Sequence, residues 1–205
     1  MRSPRLGKAR RKMAPPAGFD FTFHMRQLCD DMVRRLPELR HIDISRVAVS
    51  FCQTRKQVNH GMYASLTPMR FCGGRMDTLR RGRKWTVQRL FDRSGREMLY
   101  ILGLYLPRFL DLPFRDKLTT VLHELWHIGP RFDGDLRRYG GRCFAHSTSQ
   151  KSYDVLVERL ADDWLSHHPP HALYEFLHDD FRELAVRHGK IYGMKIPTPK
   201  LIPAD

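Results

Sequence analysis

The chain has 205 residues, 41% of them hydrophobic and 11% aromatic, and a formal net charge of +14. This size and apolar content predict one domain with a single good core and exclude wholesale disorder. The longest apolar run, residues 99–107, is too short to span a bilayer, and Cys29, Cys52, Cys72 and Cys143 form no C-x-x-C pair, so neither a membrane span nor a disulfide scaffold is expected.

Residues 1–17 read as a basic flexible tail ending in Pro15-Pro16-Ala17, and residues 18–205 as the single domain. Six cations (Arg2, Arg5, Lys8, Arg10, Arg11, Lys12) fall in the first twelve residues. Taking these six from +14 leaves +8, so the remainder is basic too and could engage nucleic acid non-specifically. The tail lacks the apolar stretch of a secretory signal, which together with reduced cysteines predicts a cytoplasmic location.

Phe23, Leu28, Met32 and Val33 predict a helix over residues 21–36, closed by Pro37. Residues 46–52 and 61–67 read as strands. A basic, glycine-containing connection follows, holding Arg75, Arg80, Arg81, Arg83 and Lys84. Residues 84–91 and 97–105, joined by Asp92-Arg93-Ser94-Gly95, predict a hairpin. The sheet should have three or four mostly antiparallel strands.

The next helix carries the chemistry. Stepping about 100° per residue from Phe114, the residues Leu118, Val121, Leu122, Leu125 and Ile128 fall in one apolar arc. His123 and His127 lie opposite, at about 180° and 220°, among Asp116, Thr119 and Thr120. Asp111 and Pro113 suit the start of this helix, and Gly129-Pro130 its end. His123-Glu124-Leu125-Trp126-His127 is the H-E-x-x-H pattern of zinc hydrolases: imidazoles one turn apart can share an ion, and the Glu between them can serve as base toward a water.

A catalytic zinc takes three protein ligands and leaves one position open. His146 is the first candidate for the third, because a loop leaving the helix at Gly129 could double back to deliver it. Glu158, with Asp162 one turn on, is the second. Asp133 and Asp135 read as groups that structure the loop. His167, His168 and His171 sit at a helix break and read as structural or surface residues. Residues 152–166 predict a further amphipathic helix, residues 171–188 one or two more, and residues 191–205 a tail wrapping the surface.

The run HELWHIGPRFDGDLRRYGGRCFAHS, with LYILGLYLPRFL before it and IYGMKIPTPKL after it, resembles the phage metallopeptidase family of bacteriophages and prophages over roughly residues 20–200. More distantly the layout is similar to SprT-like proteases, in which a helix and a small sheet precede H-E-x-x-H and a later His ligand. The resemblance implies an α+β, zincin-like minimal metallopeptidase encoded by a phage or prophage and working in the bacterial cytoplasm. It favours zinc on His123, His127 and His146 with Glu124 as base, a peptide or protein substrate, and by analogy one associated with DNA. Arg142 or Tyr139 could supply the oxyanion donor, and the strand at residues 99–105 a backbone edge for substrate. Two other classes stay open on the sequence: a nucleic-acid-binding protein with a closed structural zinc, and a metal-dependent amidase acting on a non-protein or cell-wall substrate.

Overall fold

The computed structural model describes residues 17–54, 61–138 and 150–204. A two-residue strand, β1 (Phe19–Asp20), leads into α1 (Phe21–Arg35), whose start is fixed by the Asp20 carboxylate accepting the Phe23 N–H at 3.0 Å. Phe21, Met25, Leu28, Cys29, Met32 and Val33 form its buried stripe, and Pro37 prevents its continuation. Burial pushes the Cys29 thiol up to about 12, so it acts as core filling rather than as a nucleophile. β2 (Val47–Gln53), β3 (Ala64–Pro68), β4 (Asp77–Arg80), β5 (Arg83–Val87) and β6 (Tyr100–Leu106) follow. Then come α2 (Phe114–Trp126), α3 (Gln150–Ser166), α4 (Phe181–His188), β7 (Ile191–Tyr192) and β8 (Leu201–Pro203). The fold is α+β.

The principal sheet has the order β2-β6-β3. It is mixed rather than mostly antiparallel: β6 runs parallel to β2, from Val47↔Tyr100 to Gln53↔Leu106, and antiparallel to β3, from Ala64↔Leu104 to Pro68↔Tyr100. Both faces are covered. Val47, Val49, Tyr100, Leu102 and Leu104 join the core beneath the helices. Ala48 and Ile101 point the other way, into a smaller cluster with Met69, Met98, Val87 and Ile196. Burial on both sides is why β6 reads as an unbroken apolar run.

The expected hairpin of residues 84–105 does not form. Its turn is present, with the Asp92 N–H on the Arg96 carbonyl and the Gly95 N–H on the Asp92 carbonyl, but a single bridge, Phe91↔Glu97, flanks it. Beyond that bridge the strands part. β6 is apolar on both faces and goes to the centre of the principal sheet. β5 carries Arg83 and Lys84 exposed, and joins β4 and β8 in a second, antiparallel sheet of order β4-β5-β8. The C-terminal segment also lines β2, as the surface tail predicts, through the Phe51 N–H on the Met194 carbonyl and the Ile196 N–H on the Ser50 hydroxyl. At Gly193 a Cβ would sit 2.7 Å from Thr22 Oγ1 and 2.8 Å from Phe51 Cβ, so only glycine lets the tail approach so closely.

α2 packs on β3 and on α3. Its N-cap is Pro113, which makes no side-chain cap; Asp111 instead accepts the Phe181 N–H at the start of α4, correcting its expected role. Buried Lys117 donates to the Leu177 and Asp179 carbonyls at 2.9 and 2.7 Å and so docks residues 171–179 against α2. Those residues form two short 3-10 turns ahead of α4. No helix among the described residues is long and apolar enough to cross a membrane.

Glu97 joins the two sheets. Its carboxylate accepts from Arg89 Nε and Arg70 Nη2, each at 2.6 Å, and these guanidiniums, Arg89 foremost, hold its pKa down to about 2 against the opposing effect of burial. A depressed carboxylate pKa contributes stability above the unfolded value near 4.5 and loses it as pH falls through the folded one. Urea unfolding should therefore show wild type more stable than Glu97→Gln above pH 4.5, with the gap closing toward pH 2. A gap independent of pH would contradict this role.

Candidate metal and catalytic site

His123, Glu124 and His127 occupy the last turn of α2, whose apolar stripe (Leu118, Val121, Leu122, Leu125) is buried as the wheel requires. The chain stays helical just far enough to bring both imidazoles round to one side, with His127 as the C-cap. The ring centroids lie 4.6 Å apart at an interplanar angle of 89°. The rings meet edge to face, His123 half-buried and His127 8% exposed. Two imidazoles one helical turn apart are nitrogen donors of the kind that zinc favours.

Glu124 faces the principal sheet, 8% exposed. Burial pushes its pKa up to about 7, opposed by a hydrogen bond from the Leu66 backbone. Leu66 belongs to β3, the edge of the sheet. Tyr63 and Met69 direct their backbone bonds at β6, so by strand alternation Ala64 and Leu66 turn theirs outward, toward α2. The carboxyl thus lies between the helix and a strand edge that has no second partner among the described residues. The strand at residues 99–105, expected to offer that edge, cannot do so: β6 is paired on both sides.

Beyond His127 the chain turns back on itself over residues 128–137. The Gly129 N–H reaches the Asp135 carbonyl, Ile128 bridges Leu136, and the Arg137 N–H donates to the His127 carbonyl at 2.7 Å. Arg137 Nε also donates to the Trp126 carbonyl at 2.8 Å, and its guanidinium lies 4.0 Å from the centroid of the Trp126 ring. One side chain thereby closes the C-terminal end of α2, where carbonyls would otherwise lack donors. Asp135 organises the loop, accepting the Gly73 and Leu136 N–H groups and two bonds from Arg138, and Asp133 pairs with Arg131. Tyr100 Oη donates to the Asp135 carbonyl and accepts the Gly134 N–H, anchoring the turn to the sheet.

The candidates for a third ligand fare differently. Glu158 accepts Arg115 Nε at 2.7 Å while Asp162 takes the same guanidinium at 2.7 Å, so both carboxylates are drawn to the beginning of α2, two turns from His123. Among the described residues no further His, Cys, Asp or Glu completes a group of three that could hold a metal. His146, with Tyr139 and Arg142, lies outside the described residues. His167 rests against the Asp163 carbonyl and His171 stacks on His178, both away from the motif.

Tyr153 is a site residue that sequence reasoning missed. It is 3% exposed on the inner face of α3, its hydroxyl donates to the His123 carbonyl at 3.0 Å, and its ring lies 4.7 Å from His123 and 5.7 Å from His127, stacked on the latter. In sequence it is one more apolar-face aromatic, and only its phenolic hydroxyl hints at a buried polar partner. Leu66 was missed because its contribution is a backbone N–H, which no side-chain pattern signals.

No family model, curated protein or solved structure matches the chain.

Proposed function

We propose that the protein is a zinc-dependent peptidase of zincin-like design, with His123, His127 and His146 as metal ligands and Glu124 as general base. The observation that carries this reading is the pair of imidazoles one helical turn apart, with a buried carboxyl between them facing a strand edge unpaired among the described residues. His146 is supported by its place in the sequence between Arg137, whose N–H bonds the His127 carbonyl, and Tyr153, which packs on both rings. Glu158 is already committed to Arg115, which also weighs against a closed structural site needing four ligands.

Bound at these histidines, zinc would supply Lewis acidity toward water and a scissile carbonyl. The remaining roles belong to the chain. Glu124 takes a proton from the attacking water on a carboxylate oxygen and returns it to the leaving amine nitrogen. The Leu66 backbone beside that carboxylate favours its charged form. The outward backbone groups of β3 align an extended peptide by strand addition, with the peptide bond to be cut lying over Glu124. Tyr153 fixes the imidazoles by packing on both and bonding the backbone of one.

Hydrolysis of an unfolded casein-type substrate tests the proposal. Zinc-loaded protein should cleave it, a chelator should stop cleavage, and added zinc should restore it. Cleavage that persists after complete metal removal would refute the metal's role.

A further inference from the structure

The second sheet carries a feature that the peptidase reading does not use. β4 and β5 form a hairpin closed by the pair Arg80↔Arg83, with Arg81 and Gly82 at its tip. Both tip residues have positive φ, 52° and 73°. That is the two-residue turn for which Asn-Gly is the favoured pair, and a long side chain such as Arg at the first position is disfavoured. Arg80 and Arg83 are directly opposite across the strands, a placement in which like charges repel. Among the described residues none of these three arginines forms an ion pair, whereas Lys84, on the other face, pairs with Asp77 at 3.1 Å. Two local costs are thus accepted where guanidinium charge gathers at this tip.

Trp85 shares that face, two residues from Arg83, whose guanidinium lies 5.4 Å from its ring centroid. Arg80, Arg81, Arg83 and Trp85 together line a cleft of about 500 Å³. We infer that this hairpin is a docking site for single-stranded nucleic acid, its arginines on backbone phosphates and the Trp85 indole under a base. Guanidinium forks match phosphate oxygens two at a time, and an aromatic ring beside them is the stacking platform that single strands use. A membrane-inserting hairpin would carry apolar residues at its tip, where this one has Arg81 and Gly82. An acidic peptide would answer the charge but leave the indole without a planar partner.

The test measures binding of the full chain to a fluorescein-labelled oligothymidylate of about 15 nucleotides across a salt series. The triple substitution Arg80→Ser, Arg81→Ser, Arg83→Ser should weaken binding at least ~10-fold and lower the slope of log affinity against log salt by about 2. A charge-matched control, Arg34→Ser, Arg159→Ser, Arg182→Ser, should change affinity by no more than about twofold. Binding should quench tryptophan fluorescence in wild type, and Trp85→Phe should remove most of that quenching. Equal weakening in both triple variants would reduce the effect to net charge and overturn the proposal. So would unquenched binding, no binding by wild type, or hairpin-dependent binding to phosphatidylserine vesicles or polyglutamate in place of the oligonucleotide. Oligonucleotide binding requires neither metal nor hydrolysis, so its outcome is independent of the peptidase reading.

Discussion

Glu124→Gln is expected to retain zinc and lose peptide hydrolysis by about 10²–10⁴-fold, the range general acid–base catalysis supplies. Glutamine keeps the shape of the side chain but cannot accept the proton of an attacking water. The same substitution has a second expected effect that separates lost chemistry from lost fold. In the metal-free protein, burial raises the Glu124 pKa to about 7 from 4.5. A carboxyl whose folded pKa is raised contributes stability that is fully present below its unfolded value and is lost as pH rises through the folded one. Relative to Glu124→Gln, metal-free wild type should therefore lose stability on going from pH 4.5 through about 7. At alkaline pH the inactive variant should be the more stable of the two by urea unfolding. A variant that is both inactive and less stable there would instead indicate structural damage.

The second large effect concerns the seat of α3. Trp164 is fully buried, its Nε1–H donates to Asp31 Oδ1 at 2.9 Å on α1, and its ring meets Tyr174 edge-on. It ties α3 to the N-terminal helix, and α3 in turn presents Tyr153 to the paired histidines. Trp164→Ala should cost about 3–5 kcal/mol, since an emptied indole site refills only in part. That is a large fraction of the roughly 5–15 kcal/mol that stabilises an ordinary domain. Thermal unfolding followed by circular dichroism would read it directly. A loss under about 1 kcal/mol would mean that α3 is held by other contacts.

What the sequence made legible follows from the range of the forces involved. The periodicity of α1 and α2 is local, and both helices run almost as read, because a stripe such as Leu118, Val121, Leu122 and Leu125 specifies a buried face without reference to the rest of the chain. The histidine pair was legible for the same reason, since helical spacing alone places one ring above the other. Strand partnership is not local. Asp92 to Gly95 makes its turn, yet β6 leaves for β2 because its residues are apolar on both faces and β5 is charged. The sheet edge that meets Glu124 therefore belongs to β3, which no nearby residue announces. Glu158 illustrates the same limit: its spacing to Asp162 suits a ligand with a supporting carboxylate, and a distant Arg115 claims both.

Metal content decides most between these possibilities. Elemental analysis of purified wild type, beside His123→Ala, His127→Ala and Glu158→Ala, should find about one zinc per chain in wild type and Glu158→Ala, and little in either histidine variant. Full zinc occupancy in the histidine variants, or none in wild type after zinc loading, would contradict the account.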